Sequence, residues 1–289
     1  MKIYIDGQLL EKESAKISVF DHGLLYGDGV FEGIRVYNGR IFKFEEHLRR
    51  LYDSAKSILL EIPLSIEEMS KATKETCQAN EIKDGYIRLV ITRGVGNLGL
   101  NPYQCPKASV IIIAAGIQLY PADKYINGLI LATCSTRRPK QDSLSPQVKS
   151  LNYLSNIMAR IEAMNAGADE GLMLNDQGLV AECTGDNVFI FRDGILKTTP
   201  AHAGALEGIT RNSVIALAKT LDIQVQELEM SRHDIYACDE CFLTGTAAEI
   251  IPVIELDKRK MGDGKVGKKT TLLIKEFKKL VLESGSNIY

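Results

Sequence analysis

The 289-residue chain lacks most of the features that would assign it to a broad functional class at a glance. Neither sign of charge dominates: 35 Lys and Arg against 37 Asp and Glu leave a net charge of -2, so neither nucleic acid nor a membrane surface is an expected partner. No apolar run reaches transmembrane length, and the longest, 108–116, suits a buried strand. The N-terminus, MKIYIDGQLL, alternates like a strand and has no long apolar signal core, so the expected location is cytoplasmic. The four histidines form no HxH or HExxH pair, and no metal site is expected. The six cysteines are scattered and read as free thiols. Cys238 and Cys241 make a CxxC, but no second pair and no histidine at ligand spacing accompany it, so two thiols at a strand start is the plainer reading. Internal repeats and low-complexity segments are also missing.

What remains is an ordinary globular composition, 45% hydrophobic and 25% charged, in a chain long enough for two domains. Asp6-Gly7, Asn38-Gly39 and Asp193-Gly194 are two-residue hairpin signals between alternating segments. Helices are predicted around Leu48–Leu59 and over 66–80, and strands over 86–92, 108–115, 170–174, 187–191, 223–228 and 240–244. Four glycines in 21–33 point either to backbone approaching something closely or to a flexible loop. Arg93–Gly99 contains GxGxxG after a strand, yet the prolines at 102 and 106 forbid the helix a dinucleotide site requires. The polar segment 117–128 is the predicted linker between domains over 1–116 and 129–289.

In 143–169 a lysine, Lys149, precedes a strongly periodic helix. Leu154, Ile157, Met158, Ile161 and Met164 fall three or four apart, which predicts one buried stripe. Alone, a loop lysine reads as solvated. Two other places look suited to anions. Gly208 precedes a helix patterned by Val214, Leu217, Ala218 and Leu221, which exposes amides at Ile209 and Thr210. Thr244–Ala248 is a strand end of small residues with the Thr246 hydroxyl. Two such places and an isolated lysine suggest a phosphorylated carbonyl cofactor held as a Schiff base.

Seven stretches then carry a resemblance in family order: DHGLLYGDGVFEGIRVYNG (21–39), EEHLRRLYDSAK (45–56), GYIRLVITRGVGNLGLNP (85–102), VKSLNYLSNIMAR (148–160), ADEGLMLNDQGLVAECTGDNVF (168–189), LEGITRNSV (206–214) and TGTAAEI (244–250). The chain resembles the class IV aminotransferases, and within them the branched-chain amino acid aminotransferases. The resemblance implies a two-domain α/β (α+β) fold of the D-amino-acid aminotransferase type with pyridoxal 5'-phosphate in the interdomain cleft. It implies Lys149 as the Schiff-base lysine, Glu182 beside the ring nitrogen and Tyr153 near the 3-oxygen. Arg50, Ile209, Thr210 and Thr246 are implied at the phosphate. Tyr26, Phe31, Tyr86 and Arg88 are implied around the substrate side chain, with Thr246 and Ala247 at its carboxylate. The implied reaction is reversible transamination between leucine, isoleucine or valine and 2-oxoglutarate. A homodimer or an assembly of dimers is implied, with Gly94–Asn101 as a candidate lid. Leu98 and Leu100 stand where D-amino-acid aminotransferases carry an Arg and a His. Aminodeoxychorismate lyases share the lysine, but resemble this chain less over 85–99. A cofactor-binding protein without turnover disagrees with the retention of Lys149, Tyr153 and Glu182 together. Glu207 stands where some relatives have proline, a departure expected to alter loop stiffness and not the amides.

Overall fold

The computed structural model describes residues 1–117 and 119–289; Gln118, inside the predicted linker, lies outside the described residues. By contacts the chain divides into two units. One comprises Met1–Ile117, Val148–Asn152 and Val281–Tyr289, and the other takes 119–147 and Tyr153–Leu280.

In the first unit Asp6 and Gly7, both at positive φ, turn β1 (Lys2–Ile5) into β2 (Gln8–Glu11). A short helix, α1 (His22–Tyr26), leads into the long strand β3 (Gly29–Tyr37). Asn38-Gly39 then makes the second predicted hairpin, to β4 (Arg40–Ile41). Helix α2 (Phe44–Ser57) and helix α3 (Ile66–Ala79) follow, the latter closed by a Ser65/Glu68 capping box. Strands β5 (Gly85–Thr92) and β6 (Ser109–Ala115) complete a seven-stranded sheet in the order Ser286–Asn287, β4, β3, β5, β6, β1, β2. Val30, Ile34, Leu48, Leu51, Met69, Ile87 and Ile112 join its core. The loop after β5 runs into a 3-10 turn at Pro102–Gln104, so no helix follows GxGxxG. Two expectations need correcting. Strand β6 buries only alternate residues, because one face alone of this antiparallel sheet meets the core. Leu59, expected on the α2 stripe, is 79% exposed, since the helix ends at Ser57 and Leu59 turns to φ 51.

In the second unit a short helix, α4 (Lys124–Asn127), precedes β7 (Leu129–Thr133). Helix α5 (Leu154–Asn165) then connects to β8 (Glu170–Leu174), which pairs parallel to β7. Strands β9 (Val180–Cys183), β10 (Asn187–Arg192) and β11 (Ile195–Thr198) follow. After them come α6 (Ile209–Thr220), β12 (Val225–Glu227), α7 (Arg232–Tyr236), β13 (Glu240–Gly245) and β14 (Glu249–Leu256). The short β15 (Arg259–Lys260) and helix α8 (Lys268–Glu283) come last. The sheet order is β12, β11, β10, β13, β14, β7, β8, β9, with β15 paired to β14. Strands β8 and β9 are buried at every residue and β10 at all but its last, so none shows the alternation of a half-buried strand.

Helix α5 reverses an expectation. Leu154, Ile157, Met158, Ile161 and Met164 are 69%, 53%, 47%, 44% and 62% exposed, and the face turned inward is Asn156, Ala159 and Ala163. Small residues at this spacing let the helix lie close on the sheet: Gly171 of β8 sits beneath Ala159, and the Cys134 thiol donates to the Ala159 carbonyl at 3.2 Å. The helical period is as predicted, but the larger side chains point away from this unit's core. Among the described residues no helix is long and apolar enough to cross a membrane.

Candidate active site

The predicted site residues fall in both units. In the first, the five residues Val148–Asn152 lie along the edge of β3. Phe31 N donates to Lys149 O at 3.0 Å, Leu151 N donates to Gly29 O at 2.9 Å, and Val30 bridges Ser150. Lys149 N donates to Ser54 Oγ of α2 at 3.2 Å. Backbone pairing thus fixes Lys149 as firmly as a strand residue, although its segment is not one. Its ammonium Nζ stands 4.6 Å from the centroid of the Phe31 ring.

On the same face of β3 and β5, Arg88 packs against Phe31 and Tyr86, as strand alternation predicts. Glu32 points to the opposite face and is fully buried. There it accepts from Arg50 Nε at 2.6 Å and Nη2 at 2.9 Å, and from His47 Nδ1 at 2.7 Å. Burial alone would raise the Glu32 carboxyl, but Arg50 and His47 outweigh it and hold the group at about 2. Burial lowers His47 despite its carboxylate partner. Arg50 is therefore oriented by a forked ion pair through one edge of its guanidinium. The Tyr26 hydroxyl oxygen accepts from Gly99 N at 2.9 Å, while His22 meets Asn97 O, so α1 braces the 94–101 loop.

In the second unit Glu182 lies on β9, paired opposite Met173 of β8. One carboxylate oxygen receives Arg138 Nη2 at 2.8 Å, and the other receives Asn187 Nδ2 at 3.1 Å and Leu206 N at 3.0 Å. Arg138 is itself braced by Gly204 O and Asn156 Oδ1. Tyr153 is the N-cap of α5. Ile209 and Thr210 are buried at the start of α6, where Gly208 makes no side-chain cap, so the first-turn amides carry the helix's positive end. A Cβ on Gly208 would fall 2.1 Å from Asn187 Oδ1, which ties this turn to the Glu182 network. Thr246 and Ala247 lie with Ala248 in the tight turn joining β13 to β14.

Past Glu182, Asp186 and Glu170 share the Tyr120 hydroxyl, at 3.3 and 3.0 Å. Burial, and then Glu170, push Asp186 up to about 7. Sequence reading missed Glu32, His47, Arg138, Asn187 and Asp186. Glu32 is the polar residue in an otherwise apolar stretch of β3, and that contrast was a usable signal. Arg138, eleven positions before Lys149 in an irregular loop, carried none. All six cysteines are free, and Cys241 is driven up by its contact with Cys238 and by burial, so its thiol is no thiolate. Among the described residues no His, Cys, Asp and Glu cluster suits a metal.

The first unit thus carries a loop lysine on an apolar ring and an oriented arginine, and the second a buried carboxylate in an ion pair and an uncapped helix N-terminus. Residues 29–256 match the family model for amino-transferase class IV. The chain belongs to the class IV aminotransferases. It is 50% identical over 289 residues to a Methanocaldococcus jannaschii protein provisionally named a branched-chain-amino-acid aminotransferase, covering 100% of this chain and 99% of that one. The solved branched-chain aminotransferase of the archaeon Thermoproteus uzoniensis, with norvaline, is 39% identical with a TM-score of 0.94, over 100% and 99% of the two chains. The branched-chain amino acid aminotransferase of Thermobaculum terrenum, solved in its PLP-bound holo-form, is 31% identical with a TM-score of 0.89, over 98% and 94%.

Proposed function

We propose that this protein is a pyridoxal-phosphate-dependent aminotransferase for branched-chain L-amino acids, with 2-oxoglutarate as the amino acceptor. One observation carries the reading: similarity to proteins of that name runs the length of the chain. Lys149 on a fixed edge and Glu182 in a buried ion pair support it. When bound, the cofactor accepts the electron pair left as the substrate Cα–H bond breaks. Lys149 Nζ would hold it covalently and, as the free amine, would remove and return the substrate's Cα proton. Glu182 supplies the negative charge that a protonated ring nitrogen needs, and Arg138 fixes that carboxylate. Tyr153 would offer its phenol to the cofactor's 3-oxygen. Arg50, the amides of Ile209 and Thr210, and Thr246 hold the phosphate.

Phe31 and Tyr86 give an alkyl side chain an apolar wall, while Arg88 and Tyr26 receive the distal carboxylate of glutamate. The Thr246 and Ala247 amides bind the α-carboxylate. Homodimerisation, in the cytoplasm, completes the reading, and the five apolar side chains that α5 leaves exposed support such an interface. The test is glutamate formation from L-leucine and 2-oxoglutarate. Wild type should produce it and Lys149→Ala should not; turnover by the variant, or preference for D-alanine, would overturn the assignment.

A further inference from the structure

Gly33 sits in the middle of β3 with no positive φ, so its backbone does not call for glycine, and a glycine inside a strand ordinarily weakens it. Its reason lies across the sheet. The β3–β5 register sets Gly33 opposite Arg88 and Arg35 opposite Tyr86, and cross-strand partners share a face. Tyr86 leans diagonally back over Gly33. A Cβ there would stand 1.9 Å from the phenol oxygen and 2.6 Å from the ring carbon that bears it. In that position the Tyr86 ring lies 5.5 Å from the Arg88 guanidinium carbon, and Phe31 lies 4.5 Å from it. The guanidinium thus meets two rings, and the missing Cβ provides the space for one of them.

We propose that Gly33 is a specificity-determining residue: it admits the Tyr86 ring, which holds Arg88 in place to receive a substrate's distal carboxylate. This rests on the substrate-pocket reading above. The three atoms nearest a Cβ at 33 all belong to the far end of the Tyr86 side chain, so Gly33→Ala is expected to displace the ring and leave the strand folded. Arg88 then loses one stacking partner and its fixed direction. An alkyl side chain asks only for apolar surface and is affected less.

The test is calorimetric titration of the holoenzyme with glutarate and with 4-methylvalerate, neither of which carries an amino or oxo group to transfer. Gly33→Ala should weaken glutarate by about tenfold and 4-methylvalerate by less than about threefold, the scale of one lost cation–π contact. In a Tyr86→Leu background Gly33→Ala should add no further loss for glutarate, because both changes act through one ring. Unchanged glutarate affinity, equal weakening of both ligands, or full additivity with Tyr86→Leu would overturn the proposal. Arg88→Ala separates it from the reading beneath. If that variant keeps glutarate affinity, the pocket reading fails and takes this proposal with it. If Arg88→Ala loses glutarate and Gly33→Ala does not, the proposal alone fails.

Discussion

Several buried charged side chains in this molecule are held by other side chains before any ligand is considered. Glu182 has Arg138, Arg50 has Glu32, and Glu32 has His47 as well. Such buried groups are costly to orphan: removing one partner leaves the other's charge without compensation. Arg138→Met is therefore expected to cost about 3–5 kcal/mol of stability in chemical denaturation. It should also weaken pyridoxal-phosphate binding, since the Glu182 carboxylate keeps its bonds to Asn187 and the Leu206 amide but loses its arginine. Wild-type stability and cofactor affinity in that variant would show the ion pair to be dispensable. At this scale sequence reading found the residues with distinctive neighbours, such as Lys149 before a helix and Thr246 in a run of small residues. It missed their supports. Arg138 and His47 owe their positions to contacts across 44 and 15 residues, which spacing along the chain does not encode.

Elements were more legible, because their signals are local. The three Asx-Gly hairpins, α3 and the strands at 86–92, 170–174 and 187–191 all form where turn chemistry and periodicity put them. Strand β9, which carries Glu182, escaped detection: it is four residues long and buried throughout, so it shows no alternation. The hairpin at Asp257-Lys258 also escaped, as it turns at positive φ without a glycine. In α5 the period was right and the face was wrong, because hydrophobicity does not say whether an apolar stripe meets its own sheet or another surface. If that stripe is the dimer contact, Ile161→Glu should change monomer stability by less than about 0.5 kcal/mol and lower the mass seen in sedimentation. An unchanged mass would place the contact elsewhere.

For the whole molecule the buried carboxylates set opposite pH limits. Glu32 titrates at about 2 in the folded chain, below its usual 4.5, so the stability it contributes is present above pH 4.5 and is lost as pH falls toward 2. Asp186 is raised from 3.8 to about 7, so its neutral form is favoured and stability declines as pH rises through that interval. Asp186→Asn should remove this decline, gaining on wild type by on the order of a few kcal/mol between pH 4 and 7; parallel pH profiles for the two proteins would contradict the shift. The broadest inference from sequence, a two-domain class IV fold, came from seven ordered blocks and not from any periodicity, and the full-length similarity to solved aminotransferases agrees with it.

The central claim is a branched-chain transamination performed with Lys149, and the visible band of the purified holoenzyme reads it directly as amino acids are added one at a time. L-leucine, L-isoleucine or L-valine should convert the band to that of the amine form, and D-alanine should leave it unchanged. Conversion by D-alanine alone would contradict the substrate assignment. A protein with no visible band, even after pyridoxal phosphate is supplied, would contradict the cofactor.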